Sequence, residues 1–592
     1  MARDLLDIDS KTIEELYDWY ISENLLVNRR YQRKLVWGIS EKVALISSIL
    51  KEYPIPLLLF VKFDDKREIL DGMQRLEALM SFIEQRFSID GAYFDLDSTA
   101  LTKELKDNGT LLQKTPVISR EISTKFARYK FAISEYSSTS DDIDEVFRRI
   151  NSSGKTLSKQ ELRSAGCLSN FSELVRKISI LIRGDTSHGD LLKLNSMSKI
   201  SIGGDGLEYG VSIDEHFYIR SHILLRRSIR ESADEELLAN MLAYVLLEEK
   251  PTSGSISLDG FYGLHDTPHT QEQRQLIETA IQLKDSEELE RNFLFTFELI
   301  RDLFEDNEVT FKSHILGVES TTQECPRYYQ AVFLAFYELM FVDQMKISDR
   351  AALFEQLRNT GNTVIKVTEG GRWAAHSRKN SIEDLKAILL RHFEPSLEKI
   401  EANAWVTEIN NILTSSSTEQ SFYDFKQGII RLDESNEVDI DSVRKIVQTC
   451  VAISNIGKKS EGFILIGVSD TELCSQKIKD IYGIDSIPVN GFHINGIDAE
   501  ALRKYNKLDV YFSRLKQLIE GFDFETSLKQ QILKDIMLCK YHDRHIIKIT
   551  IKSVGKVCQF DNGFYLRQGT STKHLVNADE ISALFSNYMS GV

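Results

Sequence analysis

The stretch EILDGMQRLEALMSFI, residues 68–83, predicts a strand, a tight turn and an amphipathic helix in direct succession. Asp71 and Gly72 form the turn, and Gln74 and Arg75 lie in the first turn of the helix that follows. The first turn of a helix presents unpaired N–H groups and the positive end of the helix dipole. Because Arg75 adds a planar bidentate donor, this construction suits a phosphate group.

The sequence around this stretch continues the mixed pattern. Residues 40–50 have apolar side chains at helical spacing with Ser40 as the expected N-cap, and PIPLLLFVKF, residues 54–63, is typical of a buried strand. The segment SKQE, residues 158–161, has the form of a capping box that begins a further helix. We therefore predict a first α/β domain over residues 1–166.

Residues 167–412 predict a helical domain. Apolar side chains recur there with a period of about 3.6 residues, which is typical of helices packed around a core. No repeat of fixed period is present. The four clearest stripes are HFYIRSHILLRRSIRE, EELLANMLAYVLLEE, YYQAVFLAFYELMF and IEDLKAILLRHF, at 216–231, 235–249, 328–341 and 382–393.

The pattern returns to mixed α/β in residues 413–592. The polar passage LTSSSTEQ, residues 413–420, is the predicted boundary of this third domain. A helical stretch around residues 443–453 follows it. Later apolar runs predict three strands, which are GFILIGV, HIIKITI and FYLRQGT at 462–468, 545–551 and 564–570.

Length and charge limit the class of protein. The chain has 592 residues, which is too long for one hydrophobic core and predicts three or four domains. Its 73 Lys and Arg against 89 Asp and Glu give a net charge of −16. This charge argues against a simple nucleic-acid coat, whose phosphate contacts require a basic domain. It does not argue against an enzyme with a local basic cleft and bound metal ions.

The sequence predicts a cytoplasmic protein without a membrane partner. Its N-terminal segment MARDLLDIDSKTIEELYDWY is acidic and amphipathic, whereas a signal peptide has a basic region followed by an apolar one. The longest apolar runs are far short of a membrane span. The six cysteines are scattered without a C-x-x-C pair, which favours free thiols over a disulfide framework or a zinc site.

Three segments of the first domain carry candidate chemistry: RRYQRKLVW at 29–37, ILDGMQR at 69–75 and FRRINSSGKTLSKQEL at 147–162. Arg33 and Arg148 are further cations that the fold could bring to the phosphate-binding turn. On spacing alone, an ordinary turn whose surface arginine pairs with a carboxylate is the favoured interpretation. The chain contains no G-x-x-x-x-G-K-[ST] motif, so a nucleotide site here would be of a different kind.

In their order and residues, these segments resemble the N-terminal domain of the GmrSD family of type IV restriction enzymes, a relative of the ParB and sulfiredoxin-like fold. The family patterns are YQR-x-x-W, DGQQR and F-x-R-I-N-x-x-G-x-x-L-S-x-x-E-L, and Met73 replaces the first glutamine of the second. The resemblance implies binding and hydrolysis of a nucleoside triphosphate. From the residues and the resemblance together, the predicted nucleotide contacts are Gln32, Arg33, Asp71, Gly72, Gln74, Arg75, Arg148 and Asn151.

The third domain contains acidic residues of the kind that bind a divalent metal. In TEQSFYDFKQGI, Glu419 and Asp424 are five residues apart and Lys426 follows, while Asp470 comes after the strand GFILIGV. Carboxylates at a strand end and in a nearby segment can converge on Mg²⁺ or Mn²⁺, which polarises a phosphodiester and lowers the pKa of a bound water. The lysine would assist at a phosphate oxygen. The alternative is that all three are ordinary surface carboxylates.

Residues 415–577 resemble the Schlafen-type AlbA-like domain. That family has an E-S-x-x-x-E-F-K start, a G-G-x-L-x-I-G-V-x-D strand and a late Y-x-R-x-G-x-S-T strand. Matching residues here are Glu419, Asp424, Phe425, Lys426, Gly462, Ile466, Gly467, Val468, Asp470, Tyr565, Arg567, Gly569, Ser571 and Thr572. Some members cleave RNA with three acids at the positions of Glu419, Asp424 and Asp470, while others are known only as predicted nucleic-acid binders. The chain departs from the family at Asp424, which is shorter than glutamate, and in the segment ISNIGKKSEG before the strand.

These features predict an α+β multidomain protein that couples nucleoside triphosphate binding and hydrolysis to metal-dependent cleavage of nucleic acid in antiphage defence. The alternatives are a nucleotide-regulated nucleic-acid-binding protein without nuclease activity and a regulator that binds a nucleotide without turnover. Phage DNA and RNA both remain open as targets, and paired cuts would favour a homodimer. The histidine pairs at 265 and 269 and at 542 and 545 do not lie in a His-Asn-His nuclease setting.

Overall fold

In the computed structural model, the chain forms two compact units. The first contains Met1–Asp185 and Gly189–Ala404, and the second contains Thr186–His188 and Trp405–Val592. The structure describes residues 6–30, 34–63, 65–137, 158–164, 167, 169–203, 210–264, 267–319, 322–367, 372–396, 403–433 and 435–590.

A mixed sheet organises the first part of the first unit. Its strands are β1 (Leu6–Thr12), β2 (Leu25–Asn28), β3 (Leu58–Phe63), β4 (Lys66–Asp71), β5 (Lys130–Tyr136) and β6 (Leu191–Lys193). They lie in the order β1-β5-β3-β4-β2-β6, so the strand that leads into the predicted turn has a neighbour on each side. Strands β2 and β4 are parallel and β3 and β4 are antiparallel. A short antiparallel pair, β7 (Met345–Ile347) and β8 (Phe393–Pro395), lies later in this unit.

Helices make up most of the rest of the first unit. Its α-helices are Ile13–Ile21, Ile39–Leu50, Met73–Ile83, Ala100–Asp107, Arg120–Ala127, Lys159–Ser164, Asn170–Arg183, Leu194–Met197, Phe217–Arg220, Arg226–Arg230, Ala233–Leu246, Ser255–Tyr262, Pro268–Gln282, Ser286–Glu305, Phe311–Leu316, Pro326–Tyr337, Arg350–Leu357, Thr360–Thr363 and Ala375–Leu389. Two apolar cores hold these elements together. One lies between the sheet and its helices and runs from Ile13 to Ile200, and the other runs from Phe171 to Phe393.

The local structure agrees with most of the sequence patterns. The stretch that defines the fold forms β4, a turn at Gly72 and the helix Met73–Ile83. Ser158 and Glu161 form the predicted capping box, because each side chain bonds the backbone N–H of the other. The predicted N-cap at Ser40 is wrong. The helix begins at Ile39 after Gly38, whose N–H donates to the Glu41 carboxylate over 3.0 Å.

A cluster of buried charges, here called the Arg183 cluster, lies in the first unit. It consists of three cations and three carboxylates, all nearly inaccessible to solvent: Arg29, Lys34, Arg183, Asp185, Asp234 and Glu235. Arg183 donates to both oxygens of Asp185 over 2.9 and 3.2 Å and also bonds Asp234. Arg29 donates to Asp185 over 2.9 Å, and the Lys34 ammonium lies 3.5 Å from a carboxylate oxygen of Asp234 and of Glu235.

Three small sheets lie among the described residues of the second unit. Its strands are β9 (Tyr423–Lys426), β10 (Glu461–Ile466), β11 (Val468–Ser469), β12 (Ile487–Val489), β13 (Phe492–Ile494), β14 (Met537–Tyr541), β15 (Arg544–Lys552), β16 (Phe564–Gln568) and β17 (Ser571–Leu575). The sheets have the orders β14-β15-β10-β9, β11-β13-β12 and β16-β17. Its helices are Trp405–Ser416, Ile440–Ser454, Glu472–Tyr482, Asp498–Tyr505, Leu508–Glu520, Thr526–Asp535 and Ala578–Ser590.

The observed architecture is a multidomain α+β protein, as predicted. Helix Trp405–Ser416 runs into the polar passage 413–420 and buries Thr414, Ser415 and Ser416 there. The contacts divide the chain before Trp405. The three domains at 1–166, 167–412 and 413–592, and their ParB-like and AlbA-like identities, stay predictions.

All six cysteines are free thiols, and four of them are buried. Within the described ranges, no helix combines the length and the hydropathy that crossing a membrane requires.

The Arg183 cluster predicts that Asp185→Ala will strongly destabilise the first unit. The substitution leaves two buried guanidinium groups, those of Arg29 and Arg183, without their shared carboxylate. Breaking a buried pair in this way costs about 3–5 kcal/mol. Thermal unfolding of the full chain measures the effect, with Glu23→Ala as the control because its pair with Lys193 is exposed. Equal unfolding temperatures for the two variants would contradict the prediction.

Candidate functional site

The turn after β4 has the conformation that the sequence predicts, and only glycine fits it. Gly72 is the N-cap of helix Met73–Ile83 and has φ of 103°, in the left-handed region. A Cβ atom there would lie 2.3 Å from Cδ2 of Leu58. Because glycine has no side chain, the first-turn N–H groups have no acceptor from an N-cap side chain. Met73 is buried in the core, so its departure from the family pattern does not alter the surface of the turn.

Arg75 is less accessible than the sequence suggested. Its side chain is only 11% exposed, and its guanidinium donates to Asp71 over 2.7 Å. The other terminal nitrogen donates to the carbonyl oxygens of Pro56 and Leu57. The arginine therefore fixes the loop before β3 as well as the turn, and the Asp71 carboxylate is the more exposed partner of the pair.

Gln74 is bonded through both ends of its side-chain amide. Its amide nitrogen donates to the Lys34 carbonyl over 2.7 Å, and its amide oxygen accepts from the N–H groups of Val36 and Trp37 over 3.1 and 3.2 Å. These three bonds use both ends of the side chain. Gln74 thus attaches the end of the RRYQRKLVW segment to the helix that begins at the turn.

Four of the predicted nucleotide contacts cannot be located in the same way. Gln32, Arg33, Arg148 and Asn151 lie outside the described residues. Their part in the site stays a prediction. The described flanks of the first pair, Arg29 and Lys34, both belong to the Arg183 cluster.

The second predicted site is built on two parallel strands of the second unit. Strand β9 pairs with β10 so that Asp424 lies beside Ile464 and Lys426 beside Ile466. Asp424 and Lys426 project from the same face of β9, and the ammonium donates to the carboxylate over 2.6 Å. Lys426 thus already compensates the negative charge of Asp424, which the sequence predicted to be compensated by a metal ion.

The three predicted metal ligands are not brought together. Glu419 precedes β9 and accepts a bond from the N–H of Ser421 over 3.1 Å, whereas Asp470 is exposed beyond the far ends of β10 and β11. Among the residues with a described placement, no group of three or more His, Cys, Asp or Glu side chains could hold a metal ion. The arrangement therefore does not fit a shared Mg²⁺ or Mn²⁺ at Glu419, Asp424 and Asp470.

Arg567 connects the two distant motifs of the second unit. Its side chain is 1% exposed and donates to the Tyr423 carbonyl over 2.7 Å, and a terminal nitrogen lies 3.9 Å from an Asp424 oxygen. The same guanidinium donates to the Thr572 hydroxyl over 3.1 Å. Strand β16 is thereby tied to the start of β9, although about 140 residues separate them in sequence.

A buried carboxylate that no sequence pattern indicated lies close to the end of β9. Glu500 accepts hydrogen bonds from the Tyr511 hydroxyl and from the N–H of Ile429, which lies three residues after β9. Burial raises the pKa of Glu500 to about 7. Gly428 is required beside it, since a Cβ there would lie 2.2 Å from both carboxylate oxygens. Glu500 occurs in an ordinary amphipathic pattern, so nothing in the sequence indicated this role.

A known family matches the N-terminal part of the chain. Residues 13–167 match the family model described as GmrSD restriction endonuclease, N-terminal domain. This confirms the N-terminal resemblance, over about a quarter of the chain. A search of curated proteins finds no match to the chain. The AlbA-like resemblance of the second unit stays a prediction.

Glu500 predicts a pH dependence of stability. The unfolded chain ionises this carboxyl near its ordinary pKa of 4.5, whereas the folded chain keeps the proton until about pH 7. Between these values the folded state binds more protons, so the free energy of unfolding falls as the pH rises. The loss from this group is on the order of 3 kcal/mol.

The variant Glu500→Gln tests this dependence because glutamine keeps an acceptor for Tyr511 and cannot ionise. We expect its unfolding free energy, relative to the native chain, to increase from pH 4.5 to pH 7. The measurement is denaturant unfolding at several pH values, and Glu520→Gln, at an exposed position, is the control. The prediction is wrong if the difference between Glu500→Gln and the native chain does not change with pH.

Proposed function

We propose that this chain is a defence protein of the bacterial restriction type, which binds a nucleoside triphosphate and acts on phage nucleic acid in the cytoplasm. The observation that carries this proposal is the match of residues 13–167 to the N-terminal domain of a restriction endonuclease family. Within the matched residues, the strand, turn and helix at 66–83 form an arrangement that suits a phosphate.

The nucleotide site in this proposal centres on the turn after β4. The uncapped helix start at Gly72 supplies N–H donors, and the half-exposed Asp71 carboxylate stands beside them with Arg75. Gln32, Arg33, Arg148 and Asn151 are the further contacts that we propose. Gln74 acts as a positioning residue, because its amide holds the backbone at residues 34–37.

We expect Arg75→Ala to lower nucleotide affinity at least about tenfold, since a charge-assisted contact contributes about 1.5–3 kcal/mol. Titration of the full chain with ATP and GTP, together with a phosphate-release assay, measures binding and hydrolysis. Because Arg75 also bonds Pro56 and Leu57, circular dichroism must show that the variant is folded. Arg358→Ala, which removes an exposed arginine of the same unit, is the control. Unchanged binding and hydrolysis in a folded Arg75→Ala protein would remove this residue from the site.

For the second unit we propose an AlbA-like domain that contacts nucleic acid. The support is the contact of Arg567, from the last motif, with Tyr423 and Asp424 of the first. If the resemblance is correct, the first and last motifs must lie together despite their separation in sequence, and this contact joins them. Lys426 and Arg567 are the cations nearest to Asp424, and they are our candidates for phosphate contacts.

The dispersed carboxylates favour a second candidate function, in which this domain binds nucleic acid without cutting it. Cleavage at Glu419, Asp424 and Asp470 needs a shared divalent cation, and Asp424 is instead paired with Lys426. Ionised carboxylates at short range repel one another, so a shared site needs a cation or a proton to compensate them. Under this candidate, any cleavage by the full protein depends on other residues.

We therefore expect Asp470→Asn to equal the native protein in nucleic-acid binding and in any cleavage. The experiment incubates both proteins with DNA and with tRNA, with Mg²⁺, Mn²⁺ or chelator, and with or without a nucleoside triphosphate. Glu472→Gln, a nearby exposed carboxylate, is the matched control. Loss of cleavage in Asp470→Asn alone, with binding retained, would restore the site of three carboxylates and reject the binding-only candidate.

A further inference from the structure

A histidine and an aspartate form a hydrogen-bonded pair at the surface of the second unit. His545 lies in β15, and Asp498 is the first residue of helix Asp498–Tyr505. Nδ1 of His545 lies 2.7 Å from Oδ1 of Asp498, and the backbone N–H of His545 donates to Oδ2 over 2.7 Å. The two side chains are 32% and 31% exposed, so a ligand in solution can reach the pair.

The backbone around this pair holds the two residues in place. The N–H of Ile497 donates to the His545 carbonyl over 2.9 Å, so three bonds join the start of the helix to β15. Gly496 is required here, because it has φ of 71° and a Cβ would lie 2.9 Å from Cβ of Arg544. The histidine and the aspartate are therefore oriented before any ligand binds.

The contact with the carboxylate determines which nitrogen of the imidazole carries the proton. An ionised carboxylate only accepts hydrogen bonds, so Nδ1 of His545 donates to Asp498 and Nε2 of the neutral ring has the free lone pair. Nε2 has no hydrogen-bond partner among the described residues. An imidazole that is held by a carboxylate at one nitrogen and open at the other is the arrangement of a general base.

A lysine lies beside the ring. Lys540 in β14 is directly opposite His545 in the antiparallel register. Such cross-strand neighbours project from the same face of the sheet, with Cβ atoms about 4.5–5.5 Å apart. Lys540 is exposed, and no carboxylate in the described part of the chain forms an ion pair with it. Its ammonium group is thus available to an anion.

A general base beside such a cation suits a substrate that has a hydroxyl group next to a phosphate. In RNA the ribose 2′-hydroxyl is adjacent to the phosphodiester, whereas DNA has no hydroxyl at this position. The nucleophile is then part of the substrate itself. Attack by an internal group is fast because the reacting atoms are already close together.

We propose that His545 is the general base of an RNA-cleaving site, with Lys540 at the phosphate and Asp498 as a positioning residue. The assignment rests on the nucleic-acid contact proposed for the second unit. The proton of the 2′-hydroxyl passes to Nε2, the 2′-oxygen forms a bond to phosphorus, and the bond from phosphorus to the 5′-oxygen breaks. The departing oxygen takes a proton from water, and the imidazolium releases its proton to the solvent. The products are a 2′,3′-cyclic phosphate and a 5′-hydroxyl.

The test is incubation of the full chain with a labelled single-stranded oligoribonucleotide in EDTA, with and without ATP and GTP. We expect products that end in a 2′,3′-cyclic phosphate. Replacement of one ribose by 2′-deoxyribose should block cleavage at that linkage, because the nucleophile is then absent. Fluorescence anisotropy with the same oligonucleotide measures binding separately.

The variant His545→Gln should lower the cleavage rate at least about 100-fold, since general-base catalysis contributes about 10²–10⁴-fold. Glutamine can still donate to Asp498, but it cannot accept the proton. His542→Gln, an exposed histidine in the adjacent turn, is the matched control. His545→Ala should regain cleavage when imidazole is added, a rescue that a merely structural histidine would not show.

Two further variants separate positioning from phosphate binding. Asp498→Asn should lower kcat at least about tenfold with little change in KM, because an amide can favour the wrong imidazole tautomer. Lys540→Ala should raise KM about threefold, as expected for one exposed charge contact. Lys534→Ala, which removes an exposed lysine of the preceding helix, is the control.

Binding of the oligoribonucleotide without cleavage under all these conditions would overturn the RNA-cleaving site and leave the proposed nucleic-acid contact standing. Absence of binding would overturn both. Equal cleavage by His545→Gln and the native chain would remove the histidine from the chemistry. Cleavage that EDTA abolishes and Mg²⁺ restores would likewise reject a metal-independent base.

Discussion

The first unit depends on the compensation of six buried charges in the Arg183 cluster. Desolvation of an ion costs several kcal/mol, and each charge here is tolerated because an opposite one lies within hydrogen-bond or ion-pair distance. Burial alone would raise the pKa of Asp234, but the nearby Lys34 and Arg183 charges hold it below its ordinary value. Through Arg29 and Lys34, the same cluster anchors both flanks of the YQR segment.

Bonds of this directional kind link the candidate nucleotide site to the helical part of its own unit. Gln74 binds the backbone at Lys34, and the Lys34 side chain donates to the Ile229 carbonyl and the Ser232 hydroxyl. A displacement of the turn would therefore also displace the residues at the start of helix Ala233–Leu246. In the second unit, Arg567 has the corresponding place, because its buried guanidinium bonds both the segment 421–423 and Thr572 of the neighbouring strand.

The sequence predicted what depends on local pattern and missed what depends on distant contacts. The strand, turn and helix around Gly72 follow from apolar spacing and from the glycine requirement at positive φ. The same holds for the capping box at Ser158. No local rule indicates that the Gln74 amide binds the backbone of residues 34–37, or that Asp424 takes Lys426 as its partner. The parallel register that separates Asp470 from Glu419 is set by the whole sheet, so spacing could not reveal it.

The short segment Thr186–His188 has a consequence for how the chain folds while it is being synthesised. Its threonine hydroxyl donates to the Asn411 carbonyl over 2.9 Å and its histidine stacks on Phe422, so both partners come more than 200 residues later. Domains fold as units while the ribosome still extends the chain. Most of the first unit can thus fold on the ribosome. These three residues cannot make their contacts until the last third of the chain has been synthesised. Dividing the gene at codon 404 into two polypeptides would leave that segment on the wrong one.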